Sequence, residues 1–185
     1  MKQDYIAIAK EFGFTEAAYF DPQTVSFEDS SILRDGCKAN DCGFYGKYWT
    51  CPPGVGSEAV VEGRVKKYRY GMIMQLLTEA ISCELQKEFF DEVSHSFNDM
   101  TRLVRMEVEK DTDEVFMLGM SNCNICEECS YPHAKCRHPE ERMSCSSGHC
   151  INIYRLWDKT GYRRARLDES DFYSILLWDR LVPKK

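Results

Sequence analysis

The sequence predicts an α/β or α+β fold, a single sheet domain with helices that spans residues 1–185 and carries two cysteine-rich loops, at about 37–53 and 119–150. Three observations predict it. Short apolar runs of strand length alternate with stretches of helical periodicity. One stretch, Ile81 to Val108, keeps an apolar stripe long enough for a single long helix. Of the ten cysteines, all but Cys83 fall between the regular elements, in two irregular stretches.

The elements follow in order. Tyr5, Ile8, Ala9 and Phe12 recur at helical spacing, with Asp4 placed to cap the helix and Gly13 to stop it. Ala17 to Phe20 reads as a short strand ended by Asp21 and Pro22. Residues 21–56 have no sustained period, are broken by Pro22, Pro52 and Pro53, and read as a functional loop. Ser57 caps a short helix through about Lys67, with Val60, Val61, Val65 and Tyr68 on one face. Tyr70 to Leu77 is a buried strand. Ile81, Leu85, Phe89, Val93, Phe97, Met100, Val104 and Val108 step by three or four along the long helix. Cys83 and His95 lie off that stripe, a flanking thiol and a surface histidine. Val115 to Leu118 is a further strand, and residues 119–148 are again irregular. Ile151 to Lys159 is helical up to Gly161, and Asp171 to Trp178 forms the terminal strand.

Composition excludes several classes of function. With 43% hydrophobic residues the chain can build a core, which argues against disorder. A net charge of −6 excludes bulk binding to nucleic-acid backbones or anionic membranes. No stretch approaches the roughly 18 apolar residues of a membrane span. The N-terminus carries Asp4 and Glu11 within its apolar pattern and reads as an amphipathic helix, not a signal peptide. The expected setting is cytoplasmic, and in a reducing compartment clustered cysteines bind metal more often than they pair.

Cys123, Cys126, Cys129 and Cys136 form the strongest constellation. The spacing C-x2-C-x2-C lets one short loop wrap a cuboid cluster, each thiolate meeting a different iron, with the fourth ligand arriving from farther along. The last gap is x6, longer than in bacterial ferredoxin runs. Structural zinc sites usually draw two separated C-x2-C pairs from facing knuckles, so an overlapping triple favours iron–sulfur over zinc. Lys135, Arg137 and His138 are placed to offset a cluster's negative charge. Cys37, Cys42 and Cys51 form a second group whose spacing alone is less specific. Gly43 and Gly46 permit tight turning there, and Pro52 holds Cys51 extended, as suits a loop around a ligand. Cys145 and Cys150 trail the second loop.

Phe44 to Pro53 and Cys123 to Pro132, followed by Cys136 and Arg137, resemble the predicted metal-binding family called domain of unknown function 2284. The likeness runs from about residue 30 to residue 178 and rests on C-x4-C-G-x-Y-G-x2-W-x-C-P-P followed by C-x2-C-x2-C-x-Y-P-x3-C-R. It implies that Cys37, Cys42 and Cys51 belong to metal chemistry along with Cys123, Cys126, Cys129 and Cys136. It implies no reaction. The chain departs from the pattern between Met143 and Cys150, where relatives tend toward S-M-E-A-x-G, so Cys145 and Cys150 are additional thiols.

The expected cofactor is one or two [4Fe–4S] clusters, with Zn as the alternative. Three functions fit: electron transfer to a redox partner protein, a cluster-dependent enzyme whose small-molecule substrate meets an open iron at the first cysteine group, or a zinc-stabilised binding module. Two all-cysteine clusters need eight thiolates and the two groups supply seven, which leaves Cys145 or Cys150 as the eighth. Tyr45, Tyr48 and Trp49 read as core packing ahead of pocket lining, and His149 as exposed. The basic run Arg155, Lys159, Arg163, Arg164 and Arg166 reads as a solvated face ahead of a docking site. No G-x-G-x-x-G, P-loop or G-x-S-x-G motif is present.

Overall fold

Asp4 has an extended backbone, and its carboxylate accepts hydrogen bonds from the Ile6 and Ala7 amides at 3.1 and 3.3 Å, starting α1 (Tyr5–Glu11). The computed structural model describes residues 4–80, 86–112 and 114–179. After Gly13, at φ 101°, the chain enters β1 (Glu16–Phe20). Next come α2 (Ser30–Ala39), α3 (Glu58–Lys66), β2 (Tyr70–Glu79), α4 (Gln86–Val108) and β3 (Val115–Gly119). The last elements are β4 (Ser144–Cys145), α5 (Ile153–Asp158) and β5 (Glu169–Trp178).

The strands form one mixed sheet in the order β1-β2-β5-β3-β4, antiparallel except for the β3–β4 pair. With five helices on this sheet the fold is α+β. Alternation along the central strands sorts side chains between two cores. Met72, Met74, Met117 and Leu176 face α1 and α4, packing with Tyr5, Ala9, Phe97 and Val104. Ile73, Leu118, Ile175 and Leu177 face α3 and α5, packing with Val65, Tyr68, Leu156 and Trp157. Covered on both faces, β5 is buried continuously from Phe172 to Trp178, which explains its unbroken apolar run. No helix of the described residues is long and apolar enough to cross a membrane.

Several expectations need adjustment. Residues 21–56 are not loop throughout, because α2 occupies 30–39. Its buried positions are polar, Ser30 and Arg34, and Ile32 is 71% exposed, so no apolar stripe marked the helix. The 119–148 stretch contains β4, too short to show a period. Val60 does not share the face of Val61 and Val65; it is 51% exposed while they are fully buried. The long helix is described from Gln86 onward, and Ile81, Cys83 and Leu85 lie outside the described residues. His95 is exposed, as expected.

Candidate metal centre

The second cysteine loop is launched by α4 and β3. The Asn98 side chain, fully buried, donates to the Met120 carbonyl and accepts from the Met120 amide, both at 3.0 Å. Arg102, on the same face of α4, donates to Asn124 Oδ1 at 2.6 Å. Farther on, the Ala134 amide donates to the Ser130 carbonyl, Ser130 Oγ donates to the Lys135 carbonyl, and Arg137 donates to the Glu128 carbonyl. The loop folded this way is half-buried at Cys123, Cys126, Cys129 and Cys136, and all four line one narrow cleft. Tyr48 and Trp49 of the first loop close it, with Arg137, His138 and Arg142 adding positive or polar groups.

The first loop begins on α2, whose last turn carries Cys37. Asn40 ends the helix in the left-handed region at φ 63°, and its side chain accepts from the Tyr45 amide at 2.9 Å. Gly46, at φ 71°, turns the chain so that its amide donates to the Pro52 carbonyl at 2.8 Å. Cys42 is exposed, Cys37 half-buried and Cys51 buried. Burial first, and then the Cys145, Cys42 and Cys37 sulfurs, push the Cys51 thiol up to about 12. Burial also raises Cys37, to about 11, with Cys145 next in weight while Arg34 pulls down. Cys145 is half-buried as a residue, but its sulfur is deeply set. Burial raises its thiol against a hydrogen bond from the Gly148 amide at 3.3 Å, and Cys42 adds to the rise. The Cys145, Cys42 and Cys37 sulfurs thus oppose ionisation of Cys51, a penalty that a bound cation reverses.

Cys150 is fully buried on the other side of the same turn. Its sulfur accepts from Arg34 Nε at 3.1 Å and packs with Val55 and Val61.

Two polar seams hold the loops together. Trp49 Nε1 donates to the Ala134 carbonyl at 3.0 Å, and its ring meets Tyr131 edge-on at 4.9 Å. Gly54 leaves room for that contact, since a Cβ there would stand 2.7 Å from the Tyr48 carbonyl and 2.8 Å from the Tyr131 ring. Deeper in, Ser144 Oγ donates to the Thr50 carbonyl at 2.6 Å. His149 is buried beneath Phe116 and is not the exposed residue expected. Its Nδ1 lies 3.1 Å from Ser144 Oγ and its Nε2 2.9 Å from Arg64 Nη1. Burial first, and then the Arg64 charge, pull its pKa down to about 3, so the ring is neutral with both nitrogens engaged.

Arg34, Arg64, Thr50 and Asn98 went unnoticed in the sequence because nothing in their local spacing marks them. Among the described residues no ion pair with a carboxylate holds Arg34, Arg64 or Arg142. Buried or half-buried cations without carboxylates are costly unless other acceptors stand near; Arg34 has the Cys150 sulfur and the Gly56 carbonyl, and Arg64 has His149 and the Val55 carbonyl. Among the described residues the buried Thr50 hydroxyl has no partner at full hydrogen-bond geometry, and its nearest effect is on Cys51, whose thiol it pulls down against burial. Among the described residues no three Cys, His, Asp or Glu side chains converge on a point as a single metal ion requires. The aromatic side chains are not core: Tyr45, Tyr48 and Trp49 are half-buried and line clefts. The C-terminal basic run is a solvated face neutralised internally, Arg155 by Glu28 and Asp29, Arg163 by Glu169 and Arg164 by Asp158.

The family model described as "Predicted metal-binding protein (DUF2284)" matches residues 18–178, reaching farther toward the N-terminus than the cysteine motifs. No curated protein and no solved structure matches the chain.

Proposed function

The chain belongs to the predicted metal-binding family DUF2284, and we propose that it is a cytoplasmic iron–sulfur protein serving electron transfer. Cys123, Cys126, Cys129 and Cys136 hold its principal [4Fe–4S] cluster, and the first group, Cys37, Cys42 and Cys51, provides for a second. The observation that carries this reading is the arrangement of the second group. Four thiols, three of them at C-x2-C-x2-C spacing, line one cleft. A cuboidal cluster takes each thiolate on a different iron, which suits ligands supplied by one short loop wrapped around it. Zinc usually draws two separated C-x2-C pairs. The cluster supplies one-electron redox chemistry when bound, and hydrogen bonds and charge from the chain set its potential. Arg137, His138 and Arg142 around the cavity are placed to offset its negative charge. The nine described cysteines are all free, in keeping with a reducing compartment.

A second reading is favoured by one observation. An open groove of about 500 Å³ runs beside the first loop, lined by Arg34, Lys38, Tyr45, Pro52, Pro53 and Glu58. None of the described cysteines lines it, but Lys38 and Pro52 adjoin Cys37 and Cys51, so a small-molecule substrate bound there would lie beside an iron left incompletely ligated if the first group contributes only three thiolates. In the electron-transfer reading the same edge receives a redox partner protein. Zinc in place of iron makes the protein a stabilised binding module.

Anaerobic purification, with absorbance near roughly 400 nm and analysis of iron, zinc and acid-labile sulfide, tests the reading. Brown protein with iron and sulfide in equal amounts is expected. Colourless protein holding tightly bound zinc and no sulfide overturns it.

A further inference from the structure

We propose that Cys145, and not Cys150, is the fourth thiolate of a second metal site formed with Cys37, Cys42 and Cys51. The class of metal rests on the iron–sulfur reading above; the choice of ligands rests on placement alone.

Three contacts bring Cys145 to the first loop. Its strand, β4, pairs in parallel with β3, setting Cys145 opposite Gly119. Ser144 then ties β4 to the Thr50 carbonyl, one residue before Cys51. Because consecutive Cα atoms are about 3.8 Å apart, the residues carrying these two sulfurs are fixed within a short span of each other. Finally, the turn after β4 packs against α2, the helix that carries Cys37. The sulfur itself is oriented by the Gly148 amide, and a Cβ at Gly148 would lie 3.3 Å from Ser144 Oγ, 3.4 Å from Cys145 Sγ and 3.5 Å from the Thr50 carbonyl, so the turn, β4 and the first loop meet at this point.

Cys150 is the competing candidate, and its surroundings turn it away. It sits at φ 58°, which reverses the chain after the turn. Its sulfur packs on Val55 and Val61 and accepts from Arg34 Nε, whose Nη2 is anchored on the Gly56 carbonyl at 2.8 Å. This sulfur is fully buried between Val55, Val61 and Arg34, and ligation of a cluster would have to displace that close packing. With Cys145 in place the site has four cysteine ligands, enough for every iron of a cuboidal cluster. No iron is then left open to the neighbouring groove, and the site suits electron transfer over substrate activation.

The test is anaerobic reconstitution with iron and sulfide, followed by iron and sulfide counts and electron paramagnetic resonance of the dithionite-reduced protein. Wild type and Cys150→Ala are expected to hold about eight iron per chain, and Cys145→Ala to lose between about one and four of them. Cys145→Ser retains the size and an oxygen ligand, so it is expected to keep iron but show an altered resonance. Cys145→Ala holding about eight iron with an unchanged spectrum overturns the proposal, as does loss of iron in Cys150→Ala instead. If Cys145→Ala is insoluble, an unchanged spectrum in Cys145→Ser overturns it equally. A wild-type count of about four that Cys126→Ala abolishes and Cys51→Ala leaves intact removes this site while the proposed function stands. Absence of iron and sulfide from the wild type refutes the function itself, and zinc stoichiometry unchanged by Cys145→Ala then also rejects the ligand set.

Discussion

Replacing Asn98 with alanine breaks the clamp from which the second cysteine loop departs. The side chain is fully buried and makes two hydrogen bonds to the Met120 backbone, each at 3.0 Å. A hydrogen bond contributes about 1 kcal/mol net, and leaving a backbone partner unsatisfied costs about 1–3 kcal/mol. Met120 is half-buried, so water partly replaces the lost contacts and the expected total is about 2–4 kcal/mol. With a urea m-value of about 2 kcal/mol/M, the unfolding midpoint of the reduced, metal-free protein falls by about 1–2 M. Circular dichroism reads this directly. Gly119→Ala probes the same junction from the other side, because its Cβ would lie 2.3 Å from Met143 Sδ and 2.6 Å from Asn98 Oδ1. Both variants should also retain less metal, since binding energy is coupled to folding of the loop. A midpoint shift below about 0.3 M for Asn98→Ala refutes the clamp.

Cys126→Ser and Cys129→Ser are each expected to abolish the principal cluster and lower soluble yield; full iron, sulfide and stability in either variant contradicts the assignment. Trp49→Phe loses the hydrogen bond to Ala134 while keeping an aromatic face toward Tyr131, so a loss of about 1 kcal/mol and faster release of metal to a chelator are expected. Stopped-flow chelation measures the second effect, and an unchanged release rate contradicts the seam. Glu114 has its carboxyl held below the usual range by hydrogen bonds from Lys67 and Tyr68. A depressed folded-state pKa stabilises at neutral pH and loses that contribution as pH falls through it. Glu114→Gln should therefore cost at most about 1 kcal/mol at pH 7, the pair being exposed, and the difference should vanish on acidification. A difference that grows toward low pH contradicts that sign.

Local signals carried the regular elements. Asp4, Ser57 and the continuous run of β5 each announce their element through a cap or a burial pattern that a few adjacent residues encode. What escaped was organised by polar or long-range contacts. The inward face of α2 is Ser30 and Arg34, one bonded to the Phe27 carbonyl and the other to Cys150 and Gly56, so the helix lacks the apolar period that reveals its neighbours. His149 stands between Gly148 and Cys150 with no apolar rhythm around it. Phe116 from β3 and Arg64 from α3 are what bury it. The same holds for the candidate site. Cys123, Cys126, Cys129 and Cys136 sit close enough in the chain for spacing to suggest a shared cavity. The approach of Cys145 to Cys51, 94 residues apart, is made by the β3–β4 pairing and the Ser144–Thr50 bond, neither of which leaves a mark on spacing. Tyr48 and Trp49 were misjudged for a related reason: aromatic residues in a loop look like core until the partner loop they cover is in place.

Anomalous diffraction from anaerobically grown crystals, collected on both sides of the iron edge, tests the central claim most directly. Iron density filling the cavity bounded by Cys123, Cys126, Cys129 and Cys136 is the predicted result. A single zinc-edge peak there, or no iron at that position in protein that still folds and carries metal elsewhere, contradicts it.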